Sequence, residues 1–216
     1  MHRWIRKIKT VENTKKSDIM NIERRNRKYK TILDHQKFID ETKYDLTDDE
    51  IEALNTYSGS HYTYINLMSR NSNDPIIKRL KENDPKYYKR ISDTIEVLEK
   101  ALNKYSVGED VILYRGINSE KFYNDIIKKK GKKITEKGFF SVSTNLKIAE
   151  NFSNNSNSKS VIIEFRVPKE TKGIKMNKDL SIFPNETEVL INRNLEYKII
   201  DIIDTEKYRK VIAEIL

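Results

Sequence analysis

The sequence predicts an α+β fold, with helices first and strands after them. Three observations carry this. Helix-start signals and helical apolar spacing dominate the part of the chain before Gly108. From Val111 onward they give way to short apolar, β-branched runs bounded by Gly, Pro and Asn. No strand–helix–strand unit repeats, so the doubly wound α/β classes are disfavoured. The chain has 216 residues, 37% of them hydrophobic, which fits one ordinary domain able to bury a core without disulfides or metal. It has no cysteine, which excludes disulfides and thiolate metal sites.

Taken in order, residues 1–45 contain no Gly or Pro and read as a basic helical arm or linker, with Leu33, Phe38 and Ile39 as a modest apolar stripe. A domain of residues 46–216 follows. Thr47, with Glu50 three residues on, reads as a capping box that starts a helix to about Tyr57, ended by Gly59. A second helix covers about 61–70. Asp74-Pro75 opens a third through Leu80, and Asp84-Pro85 opens a longer one to about Tyr105. Ile91, Ile95, Leu98 and Leu102 in the last form one apolar face. Strands are read at 111–114, 139–143, 161–167 (stopped by Pro168), 188–191 and 197–203. Lys147–Phe152 reads as a short helix, and Asn151–Ser160 as a loop.

The net charge of +9 is concentrated: residues 1–45 hold 13 of the 42 Lys/Arg and 7 of the 33 Asp/Glu. A second basic run is Lys128, Lys129, Lys130, Lys132 and Lys133. No aromatic residues interleave it, as a single-strand nucleic-acid platform would require, so it reads as a solvated face and nucleic acid is not expected. An anionic partner, which can be the substrate itself, is what the charge implies. No apolar run approaches the roughly 20 residues of a bilayer span. The start, MHRWIRKIKTVENTKK, has no apolar core or small-residue cleavage site, so no signal peptide is read.

Several chemistries are set aside. No GxGxxG, GxxxxGK[ST] or GxSxG motif occurs. His2, His35 and His61 share no metal-ligand spacing, so no metal is expected. Two carboxylates stand out. Pro184-Asn185 makes a turn, and with period 2 Glu186 and Glu188 point the same way at a strand mouth. Paired carboxylates suit chemistry at a glycosidic carbon, where one stabilises a developing oxocarbenium ion. Arg115 ends a hydrophobic strand with a planar fork suited to phosphate. Gly116 beside it allows a ligand to approach the backbone. Ser141 and Ser143 alternate on one face of a buried strand and need partners there. Each feature alone is also ordinary surface or sheet sequence.

Together, in this order, these features resemble the arginine–serine–glutamate class of mono-ADP-ribosyltransferases, in particular clostridial binary-toxin enzymatic components and the smaller C3-like exoenzymes. Arg115, Ser141-Val142-Ser143 and Glu186-Thr187-Glu188 match the family's Arg, Ser-x-Ser and Glu-x-Glu elements. Tyr57, Tyr62, Asn66 and Arg70 match its Tyr-x4-Tyr-x3-Asn-x3-Arg helix. The resemblance covers about residues 46–203. It implies a core of two packed, mainly antiparallel sheets behind the N-terminal helices, and NAD as co-substrate. It implies that Arg115 holds an NAD phosphate, that the Gly116 backbone holds the nicotinamide amide, and that Ser141 orients Glu188. Glu188 would then stabilise the oxocarbenium ion. Phe152 falls where relatives place an aromatic against nicotinamide, and Tyr57, Tyr62, Asn66, Arg70 and Ser143 would complete the pocket.

Glu-x-Glu is the pattern of arginine-modifying members, so Glu186 implies a protein arginine as acceptor, with actin the first target to test. The chain would act as a monomeric toxin or effector, secreted or injected, or cytoplasmic if phage-encoded. Three departures stand against the family pattern. Val142 replaces the usual Thr, an Asn-rich loop follows Phe152 where some relatives carry another Arg, and the second, partner-docking domain of binary toxins is missing. NAD glycohydrolysis, and a non-catalytic basic binding module on the same fold, remain the alternative readings.

Overall fold

The computed structural model describes residues 28–154 and 159–216. The unit Thr31–Leu216 is compact and holds the helices, the sheet and the cleft described below. Most of the basic arm read at residues 1–45 lies outside the described residues. Its last part does not. Helix α1 (His35–Asp40) starts where the Asp34 side chain accepts from the Lys37 amide at 3.0 Å. It buries Phe38 and Ile39 in the main core, while Leu33 is left exposed, so residues 31–45 pack as part of this unit.

Helix α2 (Asp48–Thr56) has the capping box the sequence predicts: Thr47 Oγ1 accepts from the Glu50 amide, and Glu50 accepts from the Thr47 amide. Gly59 does not end the helical run. Tyr57–His61 is a π-type turn with non-helical torsions at Gly59, and α3 (Tyr62–Arg70) continues from it. Helices α4 (Pro75–Asn83) and α5 (Pro85–Lys104) each begin at a proline behind an aspartate cap. The predicted face of α5, Ile91, Ile95, Leu98 and Leu102, is buried.

Apart from the two-residue strand Lys30–Thr31, the strands are β1 (Val111–Asn118), β2 (Lys133–Glu136), β3 (Phe140–Ser143), β4 (Ser160–Val167), β5 (Gly173–Lys175), β6 (Glu188–Ile191), β7 (Leu195–Asp204) and β8 (Arg209–Ile215). Helix α6 (Glu120–Ile126) follows β1, and α7 (Leu146–Ser153) follows β3. The strands join in the order β2-β7-β8-β4-β1-β3-β6-β5, antiparallel except for the parallel pair β4–β8. Two separate sheets are not what hydrogen bonding forms: the pairing runs unbroken, and β1 meets β3 at one register pair, Tyr114 with Ser143.

At that joint the path folds back on itself. The ring of Phe140 (β3) lies 4.9 Å from Phe165 (β4) and 6.3 Å from Tyr197 (β7), although β7 is well removed along the path. The main core fills the space between, with Val111, Leu113, Ile163 and Val211 among its members. A second core packs α2, α3 and α5 on β5 and β6, joining Leu54, Ile65, Leu98 and Leu102 to Phe139, Ile174 and Leu190. A cleft opens where the helical layer, the joint and the β3–β6 pair meet.

Four elements go beyond the sequence reading: α6, β2, β5 and β8. Strand β8 lies between β7 and β4 and buries Val211, Ala213 and Ile215. Its alternating pattern was a usable signal. The edge strand β2, with an exposed lysine at its start and a half-buried alternation, gave almost none.

Candidate active site

The candidate site residues singled out in the sequence all line one cleft of about 630 Å³. That size suits a dinucleotide-sized ligand. Strand β1 supplies Arg115 and Gly116, β3 supplies Ser141 and Ser143, and the turn before β6 together with its first residue supplies Glu186 and Glu188. Helix α7 brings Phe152 to the mouth. The π-turn and α3 bring Tyr57, Tyr62, Asn66 and Arg70 along the opposite wall.

Pairing explains why these strands converge. Strands β3 and β6 are antiparallel, with Ser143 opposite Glu188 and Ser141 opposite Leu190. The Ser141 carbonyl accepts from Arg115 Nη1 at 2.7 Å, and the guanidinium stacks 4.7 Å from the Phe140 ring centroid. Backbone and ring thus hold Arg115 at the joint, and among the described residues no carboxylate pairs with its fork. Ser143 works on the loop instead. Its Oγ donates to the Glu186 carbonyl at 2.7 Å, accepts from the Asn145 amide at 3.0 Å, and lies 3.0 Å from Thr187 Oγ1.

The two glutamates do not reach the cleft by simple strand alternation. Pro184–Glu186 is a turn of 3₁₀ helix, and Thr187 sits in the left-handed region with φ 46° and ψ 47°. A β-branched residue there is strained by roughly 1–3 kcal/mol. The contact of its hydroxyl with Ser143, and the bond from the Thr144 amide to its carbonyl, hold it in place. Only at Glu188 does the strand begin.

Burial separates the carboxylates electrostatically. Glu188 is 6% exposed, and desolvation pushes its pKa up to about 7. A hydrogen bond with Ser141 and the charge of Arg115 pull it down, while the Glu186 charge adds to the rise. Glu186 is half-buried and raised by desolvation alone. Linkage gives a sign. Between the ordinary carboxylate value and about 7, the folded state binds more protons than the unfolded chain, so stability falls as pH rises. Melting temperature is expected to be higher at pH 5 than at pH 8. Thermal scans of Glu188→Gln should show that slope reduced.

The opposite wall is prearranged. The Tyr57 hydroxyl donates to the Phe139 carbonyl at 3.3 Å and accepts from Asn66 Nδ2 at 3.0 Å. Burial drives its pKa far above the ordinary value, so it remains a phenol. Among the described residues Asn66 Oδ1 is buried and accepts no hydrogen bond, an unused acceptor at the cleft wall.

The space a Cβ at Gly116 would need is filled by α7, although its backbone lines the cleft: an added Cβ would lie 1.8 Å from the Ala149 carbonyl oxygen. Helix α7, capped by the Asn145 side chain on the Lys147 amide, therefore rests on bare β1 backbone, and this seats Phe152. Gly116→Ala should lower stability by about 3 kcal/mol or more, measured by denaturant unfolding.

Two residues were missed by sequence reasoning. Phe183, just before Pro184, lines the mouth and is 51% exposed. An apolar pair, Ile182-Phe183, inside a turn was the available signal. Glu136 accepts from Arg70 Nε at 2.8 Å, and sequence alone offered nothing to mark it. Among the described residues, no group of three or more His, Cys, Asp or Glu side chains could hold a metal ion.

The sequence model of the ADP-ribosyltransferase exoenzyme family matches residues 34–216, most of the chain. The chain belongs to this family. Members of this family take NAD as co-substrate. One curated relative, the NAD(+)–arginine ADP-ribosyltransferase EFV of Enterococcus faecalis (strain ATCC 700802 / V583), is 29% identical over 161 residues, 74% of this chain. The match spans only 30% of that relative's length.

Solved structures show the same fold. The C3 exoenzyme of Clostridium limosum superposes with a TM-score of 0.66 at 22% identity, covering 87% of this chain and 97% of its own. C3stau2 of S. aureus, solved with NAD, gives 0.65 at 17%, covering 88% and 98%. The Vibrio splendidus transferase Vis, solved with agmatine, gives 0.63 at 24%, covering 85% and 81%.

Proposed function

We propose that the exoenzyme is an arginine-specific mono-ADP-ribosyltransferase of the arginine–serine–glutamate class, with Arg115, Ser141 and Glu188 as its defining residues. The observation that carries this is Glu188 itself: a carboxylate buried in the cleft, facing Ser141 and within the fields of Arg115 and Glu186. The name of the E. faecalis relative supports an arginine acceptor.

In this reading NAD lies along the cleft, with its phosphates on the Arg115 fork and its nicotinamide between the Gly116 backbone and the Phe152 ring. Tyr57, Tyr62, Asn66, Arg70 and Ser143 complete the pocket. The glycosidic bond of nicotinamide-ribose breaks with its electron pair leaving on nicotinamide. The oxocarbenium ion is stabilised by the Glu188 carboxylate, positioned by Ser141. A guanidinium nitrogen of the target arginine attacks the anomeric carbon. The proton it loses goes to Glu186, whose carboxylate first orients the guanidinium. Products are ADP-ribosyl-arginine, nicotinamide and a proton.

Glu188 works as an anion and titrates near pH 7 in the free protein, so kcat/KM for NAD should rise through that range while stability falls. The folded-over sheet would serve as the two-sheet sandwich of this class. Actin is the proposed target, reached in the cytosol of another cell. The test is NAD with a soluble arginine polymer. Label on the polymer supports the assignment, whereas free ADP-ribose alone would make the protein an NAD glycohydrolase, and no NAD consumption would leave a binding module.

A further inference from the structure

We propose that Glu136 is a positioning residue that sets the guanidinium of Arg70 for the diphosphate of NAD; this rests on NAD occupying the cleft as proposed for the transfer reaction. Glu136 ends β2, Arg70 ends α3, and Gly138 precedes β3. One carboxylate oxygen of Glu136 joins all three, accepting from Arg70 Nε at 2.8 Å and from the Gly138 amide at 2.7 Å. The approach is tight: a Cβ at Gly138 would lie 2.8 Å from Asn66 Oδ1 and 3.2 Å from Arg70 Nε.

The choice of nitrogen matters. An arginine has five N–H donors, and a fork–fork ion pair would occupy the two-nitrogen edge that also suits phosphate. Here the carboxylate takes Nε, and among the described residues the terminal Nη groups meet no protein acceptor. Arg70 lines the cleft and its side chain is 42% exposed, so without a fixed partner it would sample many rotamers. Glu136, at 21% exposure, is the more confined member and supplies the anchor. Its negative charge opposes a diphosphate, but at a solvent-facing pair that repulsion is screened. Ordering one long side chain in advance is the larger effect.

The anchoring needs an acceptor oxygen at this position more than it needs a charge. Glu136→Ala is expected to raise the Kd for NAD about fivefold, read by calorimetric titration, with kcat for nicotinamide release changed less than about twofold. Glu136→Gln keeps the acceptor and should bring Kd back near the wild-type value. In an Arg70→Ala background, itself weakened in NAD binding, the further change Glu136→Ala should add nothing.

An unchanged or tighter Kd in Glu136→Ala would overturn the proposal, because the carboxylate would then only compete with phosphate. An equal loss with and without Arg70 would also overturn it, since Glu136 would act through Gly138 alone. Either result beside normal wild-type NAD turnover removes this role and leaves the proposed reaction standing. A wild type that neither binds nor consumes NAD would remove both.

Discussion

Glu188→Gln is expected to lower nicotinamide release from NAD by about three orders of magnitude or more while leaving the fold intact. Gln keeps the shape and the contact with Ser141 but cannot present a negative charge to the cationic sugar. Charge aimed at a developing ion in a water-poor site is worth several kcal/mol, and about 1.36 kcal/mol corresponds to each factor of ten. Glu188 is almost wholly buried, so its field is little screened. Stability should move the other way. A desolvated carboxylate held at a pKa of about 7 is ionised at a cost at pH 8, and the neutral amide removes that cost. A variant that is inactive, yet melts no lower than wild type at pH 8, would assign the loss to chemistry. Retained turnover would remove Glu188 from the catalytic role.

Glu186→Gln should separate transfer from hydrolysis. Glu186 is half-buried on a 3₁₀ turn at the mouth of the cleft, one left-handed residue before the buried Glu188. Its place suits an incoming guanidinium better than the sugar. The amide can still accept one hydrogen bond but forms no charged fork and takes no proton. ADP-ribosylation of arginine is expected to fall about a hundredfold or more, with water-dependent NAD cleavage retained to within about tenfold. The check is the ratio of label on an arginine polymer to free ADP-ribose. Arginine transfer at the wild-type level would break the acceptor assignment, and equal loss of both reactions would place Glu186 in the cleavage step.

Much of this site was legible because it is built from short, local signals. The Thr47/Glu50 capping box, the prolines that open α4 and α5, and the apolar face of α5 are each settled within a few residues. The motif residues on β1, β3, α3 and the Glu-x-Glu turn also sit in local patterns. What sequence could not supply was the pairing that joins them. The joint at Tyr114 and Ser143, and the burial of Glu188 beneath it, depend on partners far along the chain.

Gly116 carries a packing requirement the sequence did not show: beside room for a ligand, its missing Cβ accommodates the Ala149 carbonyl. Alternation gave the right side for Glu186 and Glu188 although the backbone between them is left-handed at Thr187. Glu136 was invisible because its role comes from two contacts, one with a helix end 66 residues away.

The most direct test is incubation of the protein with labelled NAD and a cell lysate, wild type beside Glu188→Gln. Label should appear on a discrete protein band, be absent with Glu188→Gln, and be released by hydroxylamine, which cleaves ADP-ribosyl-arginine. Mass spectrometry of that band would then name the target. Label that persists in the variant, or that resists hydroxylamine, would contradict a Glu188-dependent transfer to arginine.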